Sequence, residues 1–401
     1  MNFNLNPEQQ LLQDSVRRYI DKAYSFDERA TMLKEETENC TRHWQAFSDN
    51  GWLAAALPEE YGGLGGTLLD TALIAQQFGR GLVIEPYLGC AVLAAQTLVA
   101  AAGTAQKDRL VPGLADGSIR LALAYSEPAS RGDPAVVSLT ATPNAGGYLL
   151  DGRKTLVLGA DEADGFIVSA RITAADGKPG AEGDTAISLF LVDAASPCLS
   201  REILALHDGS GAGELVFDRL QVSAGAMLGT PGSGLPALQH GLAHAIIALC
   251  AELIGGMERA IEITAEYLKI RKQFAVPLAS FQALQHRMAD MAAELELSRS
   301  MLYALLASVE NDDDAARQHT ISQAKFLIGR AARFVCGQAI QLHGGIGMTE
   351  EYTVGHFFKR AVVADVLFGN SDQHEAACAA ALQHTLRPGH SARLPASTVS
   401  A

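Results

Sequence analysis

The stretch with the most chemical content runs from Gln341 to Asn370, QLHGGIGMTEEYTVGHFFKRAVVADVLFGN. Its first part, Gln341-Leu-His-Gly-Gly-Ile-Gly347, reads as a nucleotide-binding loop. Gly344, Gly345 and Gly347 let a backbone pass close to a nucleotide without side-chain clashes. Taken alone, the same Gly-Gly pair also fits a helix C-cap and turn. Arg271 stands in a cationic run with Lys269 and Lys272. Its guanidinium can fork onto phosphate oxygens, or it can be an ordinary surface arginine. Gln282 and Gln341 could touch a cofactor or be polar residues at helix ends.

The elements that must position these residues fall into three blocks, an α+β arrangement of helices, then strands, then helices. Residues 1–118 carry apolar residues at helical spacing, with Leu11, Leu12, Val16, Tyr19 and Ile20 as the stripe of a first helix begun at Pro7. Helical runs follow over 68–80 and 91–102. Residues 119–228 turn to short β-branched runs, including Val136–Thr142, Tyr148–Leu150, Thr155–Leu158 and Ile187–Val192, with Asp151-Gly152 as a turn signal. This is a compact β-domain, barrel or sandwich, and the polar stretch Thr173–Asp184 is a surface loop. Residues 229–390 return to the helical period, with four helices over about 235–269, 281–310, 315–343 and 371–384, a four-helix bundle. The Pro/Ser-rich end, 391–401 at least, reads as a flexible tail.

Bulk properties narrow the function classes. The 401 residues are 48% hydrophobic and 19% charged, with a formal net charge of −14. An acidic chain repels phosphate backbones, which argues against nucleic acid as a partner. The six cysteines form no C-x-x-C pair and no Cys/His metal spacing. Reduced, buried thiols in a cytoplasmic protein without a metal site are expected. No basic region followed by an apolar core marks a signal peptide. No run of about 18 apolar residues marks a membrane span.

Five motifs, in order, resemble the acyl-CoA dehydrogenase family over the whole chain: LPEEYGGLG at 57–65, YSEPASRGD at 125–133, YLKIRKQFAVPLASFQ at 267–282, QLHGGIG at 341–347, and Glu351-Tyr352. The segments FGRGLVIEPY at 78–87 and Leu367-Phe-Gly369 look like the small subunit of pimeloyl-CoA dehydrogenases and the partner subunits of sterol side-chain dehydrogenases. The resemblance implies FAD bound between subunits. It places Arg271 on the pyrophosphate and Phe274, Phe281, Gln282, Gln341, Gly344, Gly345 and Gly347 around the nucleotide. It places Tyr125, Ser126, Gly132, Leu156, Leu158 and Asn370 along the flavin. A proline-containing loop with an Asx-type turn at Asp133 is the plainer reading of the Tyr125 segment.

The implied reaction is α,β-dehydrogenation of an acyl-CoA thioester. A desolvated carboxylate takes the α-proton and flavin N5 accepts hydride from the β-carbon. The implied acceptor is electron-transfer flavoprotein or a similar carrier, and the setting is fatty-acid or sterol side-chain β-oxidation.

The sequence departs from the family at the base. Counting without gaps from Glu351-Tyr352, Phe368 occupies the position of the usual Glu, with Leu367, Gly369 and Asn370 around it. The alternative base position on the first bundle helix is Ala245, followed by Ile246 where the family has Arg. Leu242-Ala243 replaces a Phe-Asp pair that holds CoA. Leu158 removes a hydroxyl contact to the flavin, and Ala275 replaces a Gly. His244 and Asp365 are weak candidates for a relocated base, and Glu252 lies further along the same helix. Three readings follow: a base-less subunit that works with a larger acyl-CoA dehydrogenase subunit in a heterotetramer, a self-sufficient homotetramer with a relocated base, or a non-enzymatic scaffold.

Overall fold

A computed structural model describes residues 5–35, 38–173, 186–311 and 314–386. Of the surface loop expected over Thr173–Asp184, Thr173 is buried against Thr142, and residues 174–184 and the expected tail lie outside the described residues. Helix α1 (Pro7–Ala23) starts on a capping box between Asn6 and Gln9, with Pro7 in its first turn. It buries Val16 and Ile20 but leaves Leu11 exposed, so the inward stripe is narrower than its sequence suggests. Helices α2 (Phe26–Glu35), α3 (Glu38–Asp49) and α4 (Leu68–Gly81) follow. Beyond Glu85-Pro86 the chain makes a wide π-helical stretch, Tyr87–Ala94, before α5 (Ala95–Ala101) and α6 (Thr104–Ala115). The single helix expected over 91–102 is therefore part π and part α. The widened turn abuts the sheet, where a Cβ on Gly89 would come within 2.7 Å of Leu158 Cβ.

The β-domain is one sheet of β1 (Leu121–Ala124), β2 (Thr140–Asn144), β3 (Gly147–Leu158), β4 (Gly165–Ile172), β5 (Ile187–Asp193), β6 (Leu199–Ala205), β7 (Gly211–Val222) and β8 (Met227–Leu228). Its order is β6-β7-β3-β2-β4-β5-β8, with β1 parallel to β4. Two sequence expectations change here. Val136–Leu139 is not strand, because the N–H groups of Ser138 and Leu139 donate to the Glu127 carboxylate instead of a ladder. Asp151-Gly152 is not a turn: β3 runs through it with a bulge at the Leu150–Gly152 register shift, and Gly152 takes φ 142°. The edge strand β6 is almost wholly exposed, so it carries no alternation to read.

Helices α7 (Gly234–Ile270), α8 (Gln282–Asn311), α9 (Asp314–His343), α10 (Val354–Val366) and α11 (Ser371–Leu386) form the C-terminal layer. The four-helix expectation omitted α10, which turns out to end at the candidate site. A short hairpin, β9 (Lys272–Gln273) and β10 (Val276–Pro277), joins α7 to α8. Helix α7 is the core of the molecule and packs on α4 backbone to backbone. A Cβ on Gly79 would lie 1.9 Å from Glu252 O, and one on Gly255 1.8 Å from Gln76 O. By length and composition alone α7 is long and apolar enough to cross a membrane, with a window of mean hydropathy 1.5. That window is 78% buried inside the protein, as suits a core helix.

Candidate active site

The β-domain and the C-terminal helices enclose a cleft of about 770 Å³, lined by Tyr125, Ser126, Gly132, Leu156, Phe368 and Asn370 among others. The floor is pinned from below by Lys154, which is 0% exposed. Its ammonium donates to Glu127 Oε1 at 2.8 Å, Ser169 Oγ at 2.9 Å and Tyr125 O at 3.2 Å. Burial draws Lys154 down to about 8 although Glu127 pulls the other way. Burial would raise the Glu127 carboxyl, but Lys154 and the donors from Ser138 and Leu139 more than offset it, so Glu127 stays below its ordinary range. An ion pair satisfied on this many sides fixes the Tyr125–Gly132 loop from inside the sheet. The Thr155 N–H adds a 2.9 Å bond to Ser126 O, locking the loop to β3.

The opposite wall is the corner between α10 and α11. Lys325, also 0% exposed, donates to the carbonyls of Ala364, Asp365 and Gly369 at 2.9, 3.3 and 3.1 Å, which caps the end of α10. Asn370 and Gln373 then exchange two 2.9 Å bonds and start α11. Between these caps Phe368 is held at φ 61°, a left-handed conformation that costs a non-glycine residue roughly 1–2 kcal/mol. His374 Nε2 lies 3.0 Å from Phe368 O. Phe368 is 7% exposed and lines both the large cleft and a second cavity of about 250 Å³, which Leu242, Ala243 and Ile246 also border. The phenyl ring thus stands where two cavities meet.

The other candidate positions are buried or engaged. Ala245 is fully buried. Burial, and secondarily His240, pushes His244 down to about 3, too low for a proton acceptor near neutrality, and His244 lines neither cavity. Asp365 does line the cleft. Its carboxylate, however, accepts from the hydroxyl and N–H of Ser371 and lies 3.6 Å from Arg333. Glu252 is tied to Arg360, which also pairs with Asp208 at 2.9 Å. Leu158, expected beside the flavin with Leu156, lines neither of these cavities but a third, smaller one with Glu85 and Leu367. Glu85 lies within the FGRGLVIEPY segment, and no local sequence pattern marks it as a buried carboxyl.

A second group of expected residues lies on an exposed face away from the cleft lining. Arg271 ends α7 and is exposed, as are Gln282, Gln341, Gly344 and Gly345. Phe274 is 86% exposed at φ 53°, and its ring meets the half-buried Phe281 edge-on at 6.1 Å. A Cβ on Gly344 or Gly345 would meet nothing within 4 Å, so this chain alone does not require glycine for space there. Behind the loop, Tyr267 stacks on His343 with centroids 4.4 Å apart and its hydroxyl donates to His343 O at 3.3 Å. That contact holds the end of α7 against the glycine loop, so Arg271 and Gly344 belong to one face.

Comparison with known proteins gives this geometry its class. Residues 6–118, 122–220 and 232–383 match the N-terminal, middle and C-terminal domains of acyl-CoA dehydrogenases. The chain belongs to the acyl-CoA dehydrogenase family. It is 30% identical over 379 residues to a probable acyl-CoA dehydrogenase, YngJ, of Bacillus subtilis, covering 93% of this chain and 97% of that protein. Among solved structures it is similar to the FAD complex of PigA (TM-score 0.85, 26% identity, 96% and 99% covered). It is also similar to the ChsE4-ChsE5 complex from Mycobacterium tuberculosis (TM-score 0.84, 25% identity, 96% and 100% covered).

The protein is accordingly an FAD-dependent oxidoreductase acting on acyl-CoA. The residues present fit the cofactor in part. The cleft has room for a flat ring beside Ser126, whose hydroxyl has no partner among the described residues, and the exposed face offers a cation and open glycine backbone. When bound, FAD supplies the hydride acceptor.

Proposed function

We propose that this chain is the base-less subunit of a heteromeric acyl-CoA dehydrogenase. A larger partner subunit supplies the catalytic carboxylate, and this chain lends its exposed face to FAD held across the interface. The observation that carries the reading is Phe368. A side chain unable to take a proton sits at the meeting of the two cavities, and the other position where a base would stand is the buried Ala245. Arg271 would meet the pyrophosphate, with Phe274, Phe281, Gln282, Gln341, Gly344, Gly345 and Gly347 around the nucleotide. Tyr125, Ser126, Gly132, Leu156 and Asn370 would form what remains of this chain's own flavin cleft. The 86% exposure of Phe274 supports the reading, since a large aromatic left in water marks a surface that another molecule covers. The similar chain of the ChsE4-ChsE5 complex is a precedent for a chain of this fold solved as part of a complex.

The test is expression with and without a larger acyl-CoA dehydrogenase subunit, followed by visible spectra. Yellow, substrate-reducible protein only on co-expression is the expected result. Yellow protein from this chain alone, bleached by an acyl-CoA, sinks the proposal in favour of a homomeric enzyme. An assembly with the partner whose flavin content and activity ignore Arg271→Ala reduces this chain to a scaffold.

A further inference from the structure

A further cavity, about 470 Å³, opens between α1, α4, α7 and α8. It shares no lining residue with the two cavities beside Phe368 or the one at Glu85. Successive residues of a helix turn by about 100°. Leu69, Leu73, Gln76 and Gln77 of α4 therefore face away from Ala75 and Phe78, which line the Glu85 cavity. On α7, Ile254 and Glu258 likewise face away from Ala248 and Glu252. The close packing of α4 on α7 thus stands between this cavity and the one at Glu85. Its size lies within the range of about 300–1,000 Å³ usual for small-molecule sites.

The walls define what it could hold. Ala72, Leu73, Ile254 and Leu302 give it a buried apolar floor. Gln77 lines the same floor at 3% exposure, and its Oε1 is buried without a partner. A buried acceptor left unpaired costs about 1–3 kcal/mol. The last torsion of a glutamine is broad, so a small turn presents this oxygen to the cavity. The charged walls, in contrast, satisfy one another. Arg299 pairs with Glu258 at 2.9 Å and with Glu296, and Glu258 also meets the buried Arg80 at 3.2 Å. Arg17 stands half exposed at the rim, 3.9 Å from Asp21, where an ion pair contributes at most about 1 kcal/mol. A charged ligand would enter without an unpaired countercharge on the floor. An uncharged one leaves the network intact.

We propose that this cavity binds an uncharged amphiphile, an aliphatic chain ending in a hydroxyl that donates to Gln77 Oε1. The site is separate from the reaction centre. It does not depend on the heteromeric reading, because none of its residues belongs to the cleft or to the exposed face around Arg271.

Calorimetric titration of the full-length chain tests it with octanol, decanol and dodecanol, the methyl ethers of matching length and the matching carboxylic acids. The best-fitting alcohol is expected to bind about ten-fold more tightly than its ether, which fills the same space without a donor. Gln77→Leu should erase that preference, keep the ether's affinity and leave the free protein at least as stable, since it removes the unpaired oxygen. Leu73→Trp, which fills the cavity, should abolish binding of both. Equal affinity for alcohol and ether, tighter binding of the acid, or an alcohol preference that survives Gln77→Leu overturns the site. Absence of saturable alcohol binding overturns it as well. The wild-type and Gln77→Leu titrations are decisive even if Leu73→Trp does not fold.

Discussion

The cleft beside Phe368 and the exposed face around Arg271 are built on opposite principles. Behind the cleft, charge is buried and fully engaged: Lys154 with Glu127, and Lys325 with the carbonyls of the α10–α11 corner. On the face, Arg271 and Phe274 stand in solvent, and Gly344 and Gly345 have open space around them, while Gly347 is buried. The cleft is walled and pinned by groups of this one chain. The face is folded and open to solvent, as the proposed role at an interface requires. Mutations should therefore separate cleanly, costing stability in the first region and binding in the second.

The largest effect expected is Lys154→Met, which leaves the Glu127 carboxylate buried and unpaired. A loss of about 3–5 kcal/mol in urea-induced unfolding is expected. A loss below about 1 kcal/mol would show that the ion pair does not anchor the cleft.

Next comes Glu85, whose carboxyl is raised from 4.5 to about 7 by burial. A raised folded-state value means the fold favours the protonated form. That contribution is complete below the unfolded value and lost as pH climbs through about 7, a decrease of up to about 3 kcal/mol. Glu85→Gln keeps an acceptor for Tyr24 and cannot ionise, so its stability relative to wild type should rise between about pH 5 and pH 8. Parallel pH–stability curves for the two proteins would refute the assignment.

Arg271→Ala tests the face. Stability should stay within about 0.5 kcal/mol. FAD retention in the assembled enzyme should fall about ten-fold or more, as removal of a charge-assisted phosphate contact implies. A drop in melting temperature with unchanged flavin content would reverse the comparison between the two regions. The smallest effect is Ala275→Gly. Ala275 is exposed at φ 64°, and relief of the left-handed strain should stabilise the protein by about 1 kcal/mol, seen in thermal unfolding.

What could be read in the chain beforehand follows the range of the signal. Capped helices such as α1, with Asn6, Pro7 and Gln9 adjacent, are local and were readable, as were the β-branched cores of β4 and β5. The exposed β6 carried no alternation. The apparent strand at Val136 was diverted by the Glu127 carboxylate, eleven residues away from Ser138, which no periodicity reveals. Counting along the chain gives Phe368 as the expected base position. It could not show that Phe368 borders two cavities, that Leu158 turns to a different one from Leu156, or that Asp365 is already engaged by Ser371 and Arg333.

By itself, then, the sequence determined the order of helices, strands and helices, the flavin-family motifs and the absence of a carboxylate at Phe368 and Ala245, because each is written in consecutive residues or fixed spacings. Tertiary structure alone decided which groups lost water and which kept it. Desolvation depends on what packs against a side chain from distant segments: it raised the Glu85 carboxyl and left Arg271 in solvent.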